Sequence, residues 1–171
     1  MSKPSDRLVN LFGALALGVT DRIRATRADE PALGGEAAAA LVVLGHETGL
    51  SIDQLSRVLG LSHPGTVRLV DRLALAKLVV RTVAEKDRRA VAVTLTNLGV
   101  ARRNALLERR RASLTEILAA VNAEDRAALE RVAVAVLKTL PQDACSALAV
   151  CRFCDERRCA ECPMNGFGAM Q

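Results

Sequence analysis

A chain of 171 residues, half of them hydrophobic, is long enough for one domain with its own core and leaves no room for a second large domain. Aromatic residues make up only 2%, with neither Trp nor Tyr. This composition argues against a protein that binds single-stranded nucleic acid by stacking bases on aromatic side chains, but it is compatible with binding to duplex DNA. The net charge of +5 is concentrated as +4 on residues 51–95 and +3 on residues 96–120, as expected of a surface that binds phosphates.

The N-terminal part of the chain predicts two helices and no membrane span. The apolar stretch Leu8 to Val19 is about half as long as a bilayer crossing needs, and no cleavage-site pattern follows it. We therefore expect a cytoplasmic protein with no membrane partner. Helical spacing of the apolar residues predicts a first helix that ends before Pro31. A second helix, Gly35 to His46, is almost all Ala, Leu and Val, which predicts burial on most of its sides.

Two short helices should follow in quick succession. Ser51 and Gln54 have the spacing of a capping box, and Gly60 favours a left-handed helix end. Ser62 is a second N-cap, and Pro64 lies in the first turn, where its missing N–H costs nothing. Two helices joined by so short a turn predict a helix-turn-helix.

The second of these helices should have one core face and one polar face. Val67, Val70 and Leu73 fall together on a helical wheel. Arg68 and Arg72 fall on the opposite side, four residues apart, so both guanidinium groups could enter one DNA major groove. For His63 a plain solvent-exposed position is the alternative to a DNA contact. The predicted major-groove residues are Ser62, His63, Gly65, Thr66, Arg68 and Arg72.

The pattern then changes to that of a β-hairpin. Leu78–Val83 and Ala90–Leu95 are rich in Val, Leu and Thr. In the second run, the larger apolar residues at positions 91, 93 and 95 alternate with Ala92 and Thr94. The intervening segment AEKDRR, Ala84–Arg89, is too polar to be buried and is basic at its tip. We predict two strands joined by an exposed wing.

Two more helices are predicted after the hairpin. Thr96 should cap a long helix that runs from residue 97 to about residue 121, and Asn122 should cap another from residue 123 to residue 140, which Pro141 stops. We expect five arginines to cover the polar faces of the longer helix: Arg102, Arg103, Arg109, Arg110 and Arg111.

Three short motifs span Ser62 to Gly99: SxxxTVxxVDRL, then LVxR, then DxRxxxVxLTxxG. Their fixed positions are Ser62, Thr66, Val67, Val70, Asp71, Arg72, Leu73, Leu78, Val79, Arg81, Asp87, Arg89, Val93, Leu95, Thr96 and Gly99. Together they resemble the signature of the MarR family of bacterial transcriptional regulators, over about residues 8 to 140. Lys77 departs from it, because the family usually has glycine there. Either the turn differs or a left-handed lysine is tolerated at a cost on the order of 1 kcal/mol.

The resemblance implies a mainly α (α+β) fold: an N-terminal dimerisation helix in residues 1–34, a winged helix-turn-helix domain with a two-stranded wing in residues 35–98, and C-terminal dimerisation helices in residues 99–141. It implies a homodimer, where the sequence by itself would equally allow an intramolecular bundle.

The same resemblance implies a transcriptional regulator that binds a pseudo-palindromic double-stranded operator. The leading hypothesis is a repressor, which a small, often aromatic, ligand would release from DNA. On the wing it implies that Arg89 reaches the minor groove or its phosphates and that Asp87 orients Arg89. Lys86 and Arg88 would add phosphate contacts.

Residues 142–171 form a cysteine-rich tail outside this resemblance. In a cytosolic chain, five cysteines favour metal or redox chemistry over a disulfide framework. The run CRFCDERRCAEC holds two CxxC pairs, and their spacing resembles a zinc knuckle. It predicts one zinc ion per chain, with the ligands Cys151, Cys154, Cys159 and Cys162, any of which Cys145 could replace. An iron–sulfur cluster, a thiol redox switch and unliganded thiols are the alternatives.

We also expect this tail to be ordered only when something crosslinks it, because so short a segment cannot build a core. Arg152, Arg157 and Arg158 could offset the negative charge of a four-thiolate site.

Two other functional classes compete with a DNA-binding regulator. No Ser, His and acid are arranged as a catalytic triad, and no glycine-rich phosphate loop is present, so we expect no enzyme. A CxxC thiol oxidoreductase would need its cysteines at a helix start beside a sheet, whereas these lie in a tail without predicted strands. The remaining alternative is a regulator whose tail senses a metal or the redox state and thereby sets the affinity for DNA.

Overall fold

The computed structural model describes residues 3–25, 34–83, 91–168 and 170, which form a mainly helical structure with a small antiparallel sheet. In chain order the elements are α1 (Asp6–Ala25), α2 (Gly34–His46), β1 (Leu50–Ser51), α3 (Ile52–Leu59), α4 (His63–Leu75), β2 (Val79–Val83), β3 (Val91–Leu95), α5 (Asn97–Ala119), α6 (Ala123–Leu137) and α7 (Ala144–Val150), followed by 3-10 turns at Glu156–Arg158 and Asn165–Phe167. The predicted winged helix-turn-helix architecture is confirmed. None of the described helices is long and apolar enough to cross a membrane.

The helix-turn-helix is built from α3 and α4, and its ends are those that the sequence predicts. Ser51 Oγ accepts from the Gln54 N–H at 3.1 Å, and Gln54 Oε1 accepts from the Ser51 N–H at 2.9 Å, which completes the capping box. Gly60 ends α3 in a left-handed conformation with φ 65°. Ser62 then caps α4 by accepting from the Gly65 N–H at 3.2 Å. Local hydrogen bonding therefore fixes both helix starts.

Helix α2 is the central strut of the core. Its residues 37–44 are all buried, as its composition predicts. It packs against α3, α4, α5 and β3, so both halves of the helix-turn-helix rest on it. The core around it takes Leu55 and Val58 from α3 and Leu69 and Leu73 from α4.

The sheet has the strand order β1-β3-β2. The predicted hairpin is confirmed, with Val79 opposite Leu95 and Val83 opposite Val91. A third strand was not predicted: β1 is only two residues long and pairs Leu50 with Val93, immediately before the cap of α3. The predicted wing contacts Lys86, Asp87, Arg88 and Arg89 lie outside the described residues.

Lys77 takes the left-handed conformation at the end of α4, with φ 60°. The Leu78 N–H donates to the Leu73 carbonyl and the Lys77 N–H donates to the Ala74 carbonyl, both at 2.9 Å. These two bonds form a Schellman motif, which satisfies helix-end carbonyls. Leu73 and Leu78 also share the core, so packing around the turn offsets the strain at Lys77.

Helix α5 begins directly on this turn. Thr96 Oγ1 donates to the Lys77 carbonyl at 2.7 Å, and the Thr96 N–H donates to the Leu78 carbonyl at 3.0 Å. A Cβ at Gly99 would lie 2.0 Å from the Leu78 carbonyl oxygen. Glycine is therefore required at position 99, because the backbone of Leu78 occupies the space that a side chain would need and cannot move aside as a flexible side chain could.

The C-terminal part of the chain differs from the expectation. Helix α6 ends at Leu137, three residues before the predicted end at Leu140. The tail, expected to lack a core of its own, adds helix α7, which packs against α3. Leu148 joins the main core, and Phe153 packs against it. The tail is thus attached to the DNA-binding half by apolar contacts that its cysteine spacing does not reveal.

We predict that Gly99→Ala lowers the free energy of unfolding by roughly 1–3 kcal/mol, because the added methyl group must displace the Leu78 carbonyl. The matched control is Gly13→Ala in α1, where a Cβ meets nothing within 4 Å and helix propensity should add about 0.5–1 kcal/mol. Denaturant titrations of both variants measure the difference. Equal stability of the two variants would contradict the close approach of α5 to the turn.

Candidate nucleic-acid interface and cysteine cluster

The outer face of α4 combines two exposed arginines with a helix start. Arg68 and Arg72 are exposed one turn apart, and His63 is exposed at the start of the helix. Leu69 and Leu73 are buried on the opposite face. The structure therefore brings the two arginines together on the surface, as the spacing predicts. Neither of them forms an ion pair with a described acidic side chain.

Thr66 was predicted to contact DNA, and its position in the structure argues against this role. Its side chain is fully buried, with 0% of its surface exposed, and its hydroxyl donates to the Ser62 carbonyl at 3.2 Å. A buried side chain cannot reach a base edge or a phosphate. Thr66 instead stabilises the start of α4, whereas Ser62 is exposed and Gly65 is half-buried beside it.

An ion pair that the sequence analysis did not assign joins α4 to the hairpin. Arg81 of β2 lies 2.7 Å from Asp71, on the same outer side as the two arginines. The pair neutralises the Asp71 carboxylate, so Asp71 does not compete with phosphates for Arg68 and Arg72. Both residues are fixed positions of the sequence motifs, and this was the signal by which the sequence could have pointed to them. Glu36 of α2 lines the same open groove as Arg68 and Arg72, and the sequence analysis did not assign it to this surface.

Three of the five cysteines gather at a second, smaller apolar cluster in the tail, and Cys159 is exposed outside it. Cys151 and Met164 are buried there, and Cys154 and Cys162 pack against them. The thiols form two hydrogen-bonded pairs, Cys151 with Cys154 and Cys159 with Cys162. Over the described residues, no group of three or more His, Cys, Asp or Glu side chains is arranged so that it could hold a metal ion.

Cys145 stands apart from this cluster, because it packs against the main core. The structure therefore gives no support to Cys145 as a replacement for one of the four.

Hydrogen bonding separates the pKa values of the first pair. The hydrogen bond from Cys151 lowers the pKa of Cys154 to about 6; burial opposes this shift and the nearby charge of Arg110 assists it. The same hydrogen bond, together with burial, raises the pKa of the Cys151 thiol. Burial and the neighbouring Cys162 raise the pKa of Cys159. Cys154 therefore ionises before its neighbour Cys151.

A buried charge cluster ties this tail to α2 and α5. Arg103 of α5 is only 4% exposed and forms an ion pair with Glu156 of the tail. His46, at the end of α2, lies 3.3 Å from the same carboxylate and 3.0 Å from the Cys154 carbonyl. The prediction that Arg103 covers a solvent-facing side of the helix is wrong. A Cβ at Gly45 would lie 2.1 Å from Arg103 Nε, so the absence of a side chain there makes room for the guanidinium.

Comparison with known proteins bears on the whole arrangement. The MarR family model matches residues 33–90, a range that includes α2, α3, α4 and β2. The chain carries a MarR-family domain. No curated protein matches the chain in sequence.

Solved structures share the fold well beyond this domain. A MarR family protein from Bacillus stearothermophilus is 25% identical, with a TM-score of 0.68 over 78% of this chain and 96% of that one. RV1404 from Mycobacterium tuberculosis is 24% identical, with a TM-score of 0.67 over 80% of this chain and 95% of that one. A G34K mutant of MepR from S. aureus is 18% identical, with a TM-score of 0.67 over 78% of this chain and 98% of that one. The match to the MarR family model supports a DNA-binding regulator of transcription.

Proposed function

We propose that the chain is a dimeric, sequence-specific regulator of transcription that reads duplex DNA with α4. The observation that carries this is the division of α4 into two faces: Arg68 and Arg72 stand exposed together, while Leu69 and Leu73 anchor the helix in the core. A guanidinium group can bind guanine O6 and N7 in the major groove through two hydrogen bonds. Ser62, His63 and Gly65 at the start of α4 would contact the same groove or the adjacent phosphates.

The wing supplies the second part of this proposal. The salt bridge between Arg81 and Asp71 holds β2, the strand before the predicted wing, beside α4. By family resemblance, Arg89 would enter the minor groove or bind its phosphates, with Asp87 orienting it. Lys86 and Arg88 would add phosphate contacts.

Dimerisation through the terminal helices is supported by the exposure of apolar side chains. Helices α1 and α6 contain no buried residue. Six large apolar side chains of α1 are about half exposed or more: Leu8, Val9, Leu11, Phe12, Leu15 and Leu17. A contiguous apolar surface of this kind marks an interaction site. A second copy fits it, because a two-fold axis would place two α4 helices on successive half-sites of a pseudo-palindromic operator.

We further propose that the regulator is a repressor and that a small ligand releases it from DNA. A cleft between α1, α2 and α5 is lined by Val42, Leu106, Phe153 and Arg110, but its volume is only about 10 Å³, so a ligand would have to open it.

A thiol oxidoreductase is not favoured. Cys151 follows the end of α7, whereas a thioredoxin-like dithiol sits at the start of a helix beside a sheet.

We predict that Arg68→Ala and Arg72→Ala each relax the preference for particular operator base pairs by about 1–3 kcal/mol. The control Lys138→Ala removes one positive charge just after α6 and should leave base preference unchanged. Fluorescence anisotropy with operators substituted one base pair at a time measures the effect. Loss of affinity without any change of base preference would refute direct reading by α4.

The salt dependence of binding tests the phosphate contacts of the wing. The logarithm of affinity should fall linearly with the logarithm of salt concentration, because bound phosphates release counterions. Arg89→Ala should weaken binding to every sequence and reduce the slope by about 1. An unchanged slope would remove Arg89 from the interface.

For the dimer, sedimentation should give about twice the chain mass of 18.2 kDa at micromolar concentration. Phe12→Asp with Leu15→Asp should shift the protein towards monomer by placing unpaired carboxylates in the interface. The control Leu75→Asp changes an 86% exposed leucine outside α1 and should leave the mass unchanged. A parent protein that is monomeric yet binds the full operator would disprove the dimer.

A further inference from the structure

A phenylalanine of the tail closes the cleft between α1, α2 and α5. The lining includes Ile23 from α1, Val42 from α2 and Leu106 from α5, and Phe153 of the tail lies against them. Only about 10 Å³ remains open, which is close to the space that one water molecule needs. The helical residues of this wall are fixed by their helices, whereas Phe153 lies in the turn after α7. Phe153 is therefore the part of the wall that can move without unfolding a helix.

Phe153 is also held less firmly than the residues that it contacts. It is half-buried, whereas Val42 and Leu106 are buried. The guanidinium carbon of Arg152 lies 5.9 Å from the centroid of the Phe153 ring, a weak cation–π contact at an exposed site. An apolar group of the same size could replace this ring without loss of buried apolar surface, and volume-conserving exchanges of this kind cost a core little.

Arg110 contributes an unsatisfied polar group to the same cleft. It lines the cleft from α5, and its Nε atom is buried without a hydrogen-bond partner among the described residues. The Cys154 thiol experiences the charge of Arg110 without accepting from this nitrogen. A buried donor that lacks a partner costs free energy, which an acceptor atom inside the cleft would recover. Because the guanidinium is charged, a carboxylate is a particularly strong acceptor for it.

The segment around Phe153 is anchored on both sides. Before Phe153, helix α7 packs on α3, and Leu148 joins the main core. After Phe153, the carboxylate of Glu156 forms an ion pair with the buried Arg103 of α5. A ring that leaves the cleft must therefore move within a short segment that is fixed to α3 at one end and to α5 at the other.

We propose that Phe153 is a built-in plug of a ligand site, and that the ligand is a small carboxylate with an apolar group of the size of a phenyl ring. The apolar group takes the place of the Phe153 ring beside Val42 and Leu106, and the carboxylate accepts from Arg110 Nε. Displacement of Phe153 strains the contact of α7 with α3 and lowers the affinity for DNA. The effect on DNA rests on the proposed function, whereas the plugged site does not.

The plug is tested with Phe153→Ala in the full-length protein. The probe is 3-phenylpropionate, which joins a phenyl ring to a carboxylate, and calorimetry measures its Kd. The variant should bind the probe about tenfold more tightly or better, because the parent must first populate a minor open state, which lowers its apparent affinity by the open fraction. The matched control Phe167→Ala removes a half-buried ring from the second apolar cluster and should bind like the parent. Equal Kd values for the parent and Phe153→Ala, or no binding to either, would overturn the proposal.

The choice of a carboxylate is tested by comparing 3-phenylpropionate with its neutral amide. Phe153→Ala should prefer the carboxylate by about tenfold, as expected of one charged hydrogen bond. Combining Phe153→Ala with Arg110→Gln should abolish this preference. The control pairs Phe153→Ala with Arg111→Gln, which changes an exposed arginine of α5 that is bonded to Glu108, and it should keep the preference. A preference that survives Arg110→Gln would show that the carboxylate binds elsewhere.

Movement of Phe153 is tested in the parent, so this measurement does not depend on how well any variant folds. The Cys154 N–H donates to the Cys151 carbonyl at 2.7 Å and closes the turn that carries Phe153. At saturating 3-phenylpropionate, hydrogen exchange of residues 151–158 should become faster, because the turn must open to release the ring. Unchanged or slower exchange would mean that the probe binds without displacing Phe153, and the plug would be refuted.

The effect on DNA is measured separately from the site. Saturating 3-phenylpropionate should weaken binding of the parent to its operator about tenfold, a typical coupling between two sites. Operator binding that the bound probe leaves unchanged would disprove the coupling. A parent that binds no DNA at all would instead refute the proposed function, and calorimetry and hydrogen exchange would still decide whether Phe153 closes a ligand site.

Discussion

The position of α4 depends on one close contact, where helix α5 begins on the turn that ends α4. The Leu78 carbonyl accepts from the backbone of Thr96, and the missing side chain of Gly99 lets the first turn of α5 come within reach. Because, in the proposed function, α4 reads DNA and α5 is one of the terminal helices of the dimer, this contact sets the angle between the two parts. The strained Lys77 is tolerated since the same contact, a Schellman motif and the core hold the turn together.

A second constraint is the buried charge of Arg103. A guanidinium that is 4% exposed requires an opposite charge, and the tail supplies it through Glu156. The tail is therefore a structural component of the DNA-binding half. The Glu156 carboxylate, two residues after Cys154, contacts α2 through His46 and α5 through Arg103.

Charge pairing differs between the proposed DNA interface and the tail. Arg68 and Arg72 are left exposed and unpaired with described acids, because Asp71 is held by Arg81. Near the cysteines the arrangement is reversed: Arg103 is committed to Glu156, and Asp155 takes up Arg157. Positive charge thus remains available at α4 and is largely neutralised within the tail.

The sequence by itself determined what depends on neighbours along the chain. The caps at Ser51 and Ser62, the left-handed Gly60, the two faces of α4 and the hairpin follow from hydrogen bonds and periodicities within a few residues. The tertiary structure alone decided what depends on distant partners. Burial of Thr66 and Arg103, the pairing of β1 with β3 and the docking of α7 on α3 join segments separated by many residues, and no local pattern records which distant group will supply a carboxylate, a strand edge or an apolar surface.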